Sequence, residues 1–344
     1  VTVTVPGPAA GRTAAGGVAG IAFDDPDLEA SVRAGLALVE RRLREVVSSD
    51  HPLVSEAARH LVDAGGKRIR PLLVLLGAHL GEPAAAGVVD AAVVVELTHL
   101  ASLYHDDVMD EAPVRRGAPA AHQRWTNTVA ILTGDYLFAR ASDLVAGLGP
   151  EAVRIQARTF SRLVTGQIDE TVGARNGATD LDHHLHVLAE KTGSLIATSG
   201  RFGAMFGGSP KPAVEAMARY GEALGVCFQL ADDILDIASD SVESGKTPGT
   251  DLREGVRTLP VLFALAGTDP GERRLRELLG RPLSDGTEHA EALRLLRRSP
   301  AMDRARSTLR SYAQRAIAAL ADVPEGPPRS ALASLVDFVA ERRA

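Results

Sequence analysis

Three aspartates, Asp106, Asp107 and Asp110, close the stretch 96–110, ELTHLASLYHDDVMD. Spaced three and four apart on a helix, they project from one side, and stacked like charges destabilise a helix unless a cation sits among them. Carboxylate oxygens suit a hard divalent ion. A solvated acidic face is the ordinary reading of one such cluster. Here the pattern returns at Asp232, Asp233 and Asp236, inside FQLADDILD, again after an apolar helical run. Two DDxxD clusters point to paired metal-binding helices.

Cations accompany both clusters. Lys67 and Arg70 lie in GGKRIRP, where one helix stops and another begins. Glycines there let the backbone turn, and free N–H groups at the new helix favour an anion, so the corner is a candidate phosphate seat. Arg115 and Arg116 follow the first cluster in a loop. His99 precedes Asp106 by two helical turns on about the same face, whereas His105 points about 100° away from Asp106 and reads as structural. Two polar interruptions, 166–170 (GQIDE) and 191–193 (KTG, with Lys191 and Thr192), fall inside apolar helices. Buried polar groups need partners, so both are expected to line one cavity. Gln229 shares a face with Asp232, and Lys246 follows in the glycine-bearing loop 245–249.

Helices must position these groups. Asp25 and Pro26 form an N-cap with proline at the first helical position, and Leu28, Val32, Leu36, Val39, Leu43 and Val46 recur at helical steps. Further helices are expected over 53–63, 69–81, 84–110, 127–146, 151–173, 179–206 and 211–240, with shorter ones over 258–321 and a last one over 329–342. Strand-like alternation is missing. Residues 1–22 read as a disordered tail and 23–344 as one all-α domain, a helical bundle around a central cavity.

Composition narrows the class. The 344 residues are 45% hydrophobic and only 4% aromatic, which permits a large core rich in small aliphatic side chains. A net charge of −6 argues against a nucleic-acid binder. The single cysteine, Cys227, excludes an internal disulfide and fits a reducing cytoplasm. No run of 18 apolar residues predicts a transmembrane helix.

Taken together, GGKRIRP, ELTHLASLYHDDVMD, RRG, GDYLFARA (134–141), KTGSLIA, FQLADDILD and GKTPGTDLREGVRTLP resemble the all-trans polyprenyl diphosphate synthases, in that family's order over about 25–343. The resemblance implies an isoprenoid-synthase-type bundle. It also implies magnesium-dependent head-to-tail (1'-4) condensation of isopentenyl diphosphate with an allylic diphosphate, by a cytoplasmic homodimer that meets a membrane only at product delivery. Carried over by position, Asp106, Asp110, Asp232 and Asp236 would bind magnesium, three ions with diphosphate bound, and Asp107 and Asp233 would complete the catalytic clusters. Arg115, Lys191, Thr192, Gln229 and Lys246 would serve the allylic substrate; Lys67, Arg70, His99 and Arg116 would hold isopentenyl diphosphate. Two places depart from the family: Val256 stands where a lysine is common, with Arg257 beside it, and Gln167 and Glu170 exchange amide and acid.

Product length is read from the helix wall upstream of the aspartates. Ala101 lies ~7.5 Å below Asp106 along the axis, Ser102 beside it, and Leu97 at ~13 Å. In the family an aromatic at the place of Ala101 gives short products. Small residues here therefore imply a long chain of about six or more isoprene units, the type used in quinone side chains; Phe160 and Phe228 are the side chains that could block it. The other readings are a farnesyl or geranylgeranyl diphosphate synthase, a class I terpene cyclase, a non-catalytic synthase subunit and a helical scaffold. The second DDxxD, GGKR and His99 speak against the cyclase, intact clusters against the subunit, and the paired clusters with their cationic set against the scaffold.

Overall fold

The computed structural model describes residues 18–174, 177, 179–239, 248–283 and 285–341. Lys246 and the first seventeen residues lie outside them. The helices that build the site are α1 (Pro26–Val46), α2 (Pro52–Asp63), α3 (Ile69–Ala78), α4 (Val88–Met109), α5 (Ala121–Arg124), α6 (Asn127–Ala146), α7 (Pro150–Val172), α8 (Asp180–Leu188), α9 (Ser194–Phe206) and α10 (Lys211–Ala238). Helices Leu259–Leu265, Gly286–Arg298, Pro300–Ala319 and Pro327–Ala340 complete the bundle. The loop after α4 carries one two-residue antiparallel pair, Val114–Arg115 with Ala118–Pro119.

Local chemistry sets the boundaries. The Asp25 carboxylate accepts the Leu28 N–H at 2.8 Å and Pro26 opens α1, as the sequence predicts. Helix α4 starts at Val88, later than the expected 84, because Gly87 takes a left-handed φ of 93° and the chain turns through Pro83 before it. The run expected as one helix over 179–206 is broken: Ala189–Gly193 forms a π-turn between α8 and α9. The folded chain also begins before residue 23. Val18 and Ile21 are buried in the core, which corrects the last residues assigned to the tail.

Helix α9 lies at the centre, touching α3, α4, α7 and α10. Glycines make that approach possible: a Cβ on Gly200 would stand 2.5 Å from the Met217 carbonyl of α10, and one on Gly203 would strike the Val74 carbonyl of α3. Two apolar clusters fill the interior, one around α10 and the C-terminal helices, one around α4, α6 and the end of α2. The aspartate-bearing helices α4 and α10 thus both pack on one central helix. Helix α4 is long and apolar enough to cross a membrane, yet most of it is buried inside the bundle.

Candidate active site

A cavity of about 220 Å³ opens between the start of α3, the middle of α4, the turn before α9 and the middle of α10. Its walls include Lys67, Arg70, His99, Arg116, Thr192 and Gln229, so six of the predicted substrate residues from five segments meet there. Ile196, Leu224, Phe228 and Val339 supply the apolar side.

Its cationic half is organised by a residue the sequence reading passed over. Glu96 is 1% exposed and accepts a 2.7 Å bond from Arg68, with Arg116 at 3.6 Å. Arg68 also bonds Glu40 of α1 at 2.5 Å and the Val62 carbonyl, so it is a structural clamp and not a free ligand group. Arg116 bonds the carbonyls of Leu61 and Gly65 and packs against Gly66, whose absent side chain leaves it room. Arg68 and Arg116 hold left-handed φ angles of 49° and 53°. For non-glycine residues that conformation costs about 1–3 kcal/mol and persists where surroundings over-determine it; multiple guanidinium contacts do so here. Tyr104 supports the same corner, its hydroxyl donating to the Ala57 carbonyl and accepting the Leu61 N–H.

Arg70 is different. Its Nε is buried without a partner, and burial, offset by Glu96 and reinforced by Arg116, lowers its pKa to about 10. Burial and then the charges of Arg70, Arg116, Arg68 and Arg115 hold His99 well below the usual imidazole range. A buried donor without a partner beside a neutral histidine and surplus guanidinium charge is matched by an anion with several oxygens, such as a diphosphate. Lys67 stands exposed at the rim, 5.8 Å from the Phe338 ring centre.

The aspartates do not act alike. Burial pushes the Asp106 carboxyl up to about 6, with Asp110 and Glu170 adding to the shift and Lys191 and Arg115 opposing it. Asp110 is exposed at the end of α4. Asp107 is fully buried and bound to Arg115 at 2.6 Å. The expectation that all three face one way is therefore corrected: Asp107 turns inward and fixes Arg115. The second cluster divides similarly. Asp233 is bonded to His184 at 3.0 Å and accepts the Leu259 N–H at 3.1 Å, which ties α10 to α8 and to the helix that begins at Leu259. Asp236 accepts the Thr250 N–H at 3.1 Å, and Asp232 is half-buried.

Among the described residues, no three acidic, histidine or cysteine side chains form a ready-made metal cage. The donor set still fits hard divalent cations. Asp106 and Asp110 on α4 and Asp232 and Asp236 on α10 are carboxylates on two helices that both pack on α9, and Asp106, whose charged form burial disfavours, gains from a cation. A ligand with oxygens of its own would complete such a set.

Lys191 sits in the π-turn, 2.6 Å from Glu170 of α7, so the two polar interruptions do come together. Arg257 is 3.5 Å from Asp180, the first residue of α8, and Val256 is exposed, so the cation beside the departed family position stands at the surface. His105 contacts the Ile131 carbonyl and Asp135, as a structural histidine.

Ala101 and Leu97 are completely buried, and Ser102 donates to the His99 carbonyl. The Phe138–Phe160 pair, with centroids 4.3 Å apart, packs in the same region through His105. The apolar helices around the aspartates also carry buried polar pairs. Thr98 of α4 bonds Gln156 of α7, and Thr159 of α7 bonds Thr198 of α9. Single threonines in apolar helices carry no signal until their partners are known.

The pattern that defines the family described as polyprenyl synthetase matches residues 51–296. A nonaprenyl diphosphate synthase of Mycobacterium tuberculosis is 53% identical over 96% of this chain and 99% of its own length. Among solved structures, a geranylgeranyl pyrophosphate synthase from Corynebacterium glutamicum, complexed with calcium and isoprenyl diphosphate, is 43% identical with a TM-score of 0.85, covering 93% of this chain and 99% of that one. A decaprenyl diphosphate synthase from Rhodobacter capsulatus is 36% identical with a TM-score of 0.83, over 92% and 98% of the two chains.

Proposed function

The chain belongs to the polyprenyl synthetase family, and from that premise we propose that it condenses isopentenyl diphosphate head-to-tail with an allylic diphosphate to give a long-chain all-trans polyprenyl diphosphate. It is a prenyltransferase. The observation that carries the reading is the cavity in which Arg70, Arg116 and a neutral His99 surround the single carboxylate of Glu96, with a buried guanidinium N–H left for a ligand.

Lys67, Arg70, His99 and Arg116 hold the diphosphate of isopentenyl diphosphate. Arg115, fixed by Asp107, and Lys191 hold the allylic diphosphate, and Lys246, outside the described residues, belongs to the same set. Thr192 and Gln229 stand in the wall shared with the isopentenyl diphosphate residues, where the reacting carbons meet. Asp106, Asp110, Asp232 and Asp236 would hold magnesium ions, three of them when diphosphate is bound. When bound, such ions neutralise the leaving diphosphate and favour breaking of the allylic C–O bond. Ile196, Leu224 and Phe228 keep water from the allylic cation while the isopentenyl double bond attacks it. A proton is then lost to the departing diphosphate.

Small residues at Ala101 and Ser102 support the long product, and the identity to the nonaprenyl synthase agrees. A geranylgeranyl-length product is the second reading, favoured by the Phe138–Phe160 pair near that wall and by the likeness to the Corynebacterium enzyme. The enzyme works as a cytoplasmic homodimer. Exposed Ile131 and Leu132 on α6 and Val164 and Ile168 on α7 support a face that a second copy covers. The test is diphosphate release from an allylic primer and isopentenyl diphosphate, with magnesium and after chelation, with product lengths resolved by mass. Release only when both substrates and magnesium are present is expected. Release from the primer alone with a cyclic product would replace this reading by the cyclase.

A further inference from the structure

We propose that Arg162 is the positioning residue of the allylic site, acting through Glu190 to hold the backbone turn that presents Lys191 and Thr192. The inference rests on the reading above in one respect, the assignment of Lys191 to the allylic diphosphate.

The helical run from Asp180 does not continue in plain α-geometry to Phe206. Residues Ala189–Gly193 widen into a π-turn, and the inserted residue rotates everything after it. Such turns are rare and tend to sit at functional sites. This one turns Lys191 toward Glu170 and within reach of the charge of Asp106, and places Thr192 in the cavity wall. A wide turn is less favourable than continued helix, so it needs an external hold.

That hold comes from both neighbours. Arg162 of α7 sets Nε at 2.9 and 3.0 Å from the two Glu190 oxygens and Nη2 at 2.6 Å from Oε1. The same Nη2 stands 2.6 Å from Glu222 of α10, so one guanidinium ties α7, the turn and α10. Without it, two carboxylates would face each other across the turn. Backbone contact closes the rest. A Cβ on Gly166, one turn beyond Arg162, would lie 2.7 Å from the Lys191 nitrogen, and one on Gly225 would lie 2.8 Å from the Gly193 Cα. Arg162 is not in the cavity wall, so it does not itself contact a ligand there. Its influence passes through Glu190, the residue before Lys191.

The experiment measures KM for each substrate, kcat and Tm for Arg162→Ala, Arg162→Lys, Lys191→Ala and the double variant Arg162→Ala/Lys191→Ala in the full chain. Arg162→Ala is expected to raise the allylic KM about tenfold, the scale of one lost hydrogen bond to a charged group, and to leave the isopentenyl diphosphate KM within about twofold, less than the loss of one neutral hydrogen bond. Arg162→Lys, which keeps the charge but not the fork, is expected to recover part of the loss. The double variant is expected to lose clearly less than the product of the two single losses, because Arg162 acts in part through Lys191. A lowered Tm with both KM values unchanged or equally raised, or full additivity in the double variant, would overturn the proposal. If Lys191→Ala leaves the allylic KM unchanged, the assignment of Lys191 fails instead, a result distinguishable from loss of the Arg162 effect alone.

Discussion

The Glu96 carboxylate accepts a 2.7 Å bond from Arg68 where the two side chains are 2% and 6% exposed. This pair, extended to Glu40 and Arg116, sets the shape of the cationic cavity before any ligand arrives. Removing one partner leaves the other charged and buried, which costs about 3–5 kcal/mol. Glu96→Ala is therefore expected to lower Tm and to raise the KM for isopentenyl diphosphate, whereas Glu96→Gln, which retains an acceptor, should lose less of both. Thermal melts and steady-state kinetics of the two variants check this; equal losses would show that the charge and not the bond matters.

The two diphosphates are expected to separate by mutation. Lys67→Ala and His99→Ala should raise the KM for isopentenyl diphosphate more than that for the primer, and Arg115→Ala should do the reverse. Each lost charge-assisted bond is worth about 1.5–3 kcal/mol. Initial rates with one substrate varied and the other saturating decide the matter, and parallel shifts in both KM values would remove the division into two sites.

Burial and the arginines Arg70, Arg116, Arg68 and Arg115 hold the His99 pKa below that of an unfolded histidine, and Glu96 is the acidic side chain in the wall of the same cavity. The folded state thus binds this proton less readily. Its contribution to stability is complete above the unfolded pKa of about 6.5 and is lost as pH falls toward the depressed folded value. His99→Gln should therefore lose less stability than the wild type between pH 7.5 and 5. Urea unfolding of the ligand-free protein at several pH values measures it, and identical slopes would mean that His99 is charged in the free enzyme.

Ala101→Phe is expected to shorten the product while activity persists, because the new ring stands ~7.5 Å below Asp106 on α4. Products separated by chain length provide the readout. An unchanged distribution would mean that the tail does not pass Ala101, and Phe160→Ala would then be the variant to lengthen it.

Much of this site was legible before the fold was known. The types and spacing at Asp106, Asp110, Lys67, Arg70 and His99 state their chemistry in the chain itself, and periodicity placed the long helices. What the sequence could not convey was direction. Asp107 and Asp110 share a nominal helix face, yet Asp107 is buried against Arg115 and Asp110 is exposed. Glu96 and Arg162 looked like ordinary helix charges, because their roles depend on partners 28 and 60 positions away. The π-turn was hidden because a run of helix-forming residues does not announce one inserted residue; what fixes it is tertiary, the Arg162 bonds to Glu190 and Glu222 and the packing against Gly166 and Gly225.

The central claim is that the aspartates of α4 and α10 serve one magnesium-dependent reaction. Turnover of Asp106→Ala and Asp232→Ala at saturating magnesium and both substrates tests it most directly. The account predicts that each variant loses nearly all turnover while its helical circular dichroism is retained. Near-wild-type turnover in either variant would contradict it.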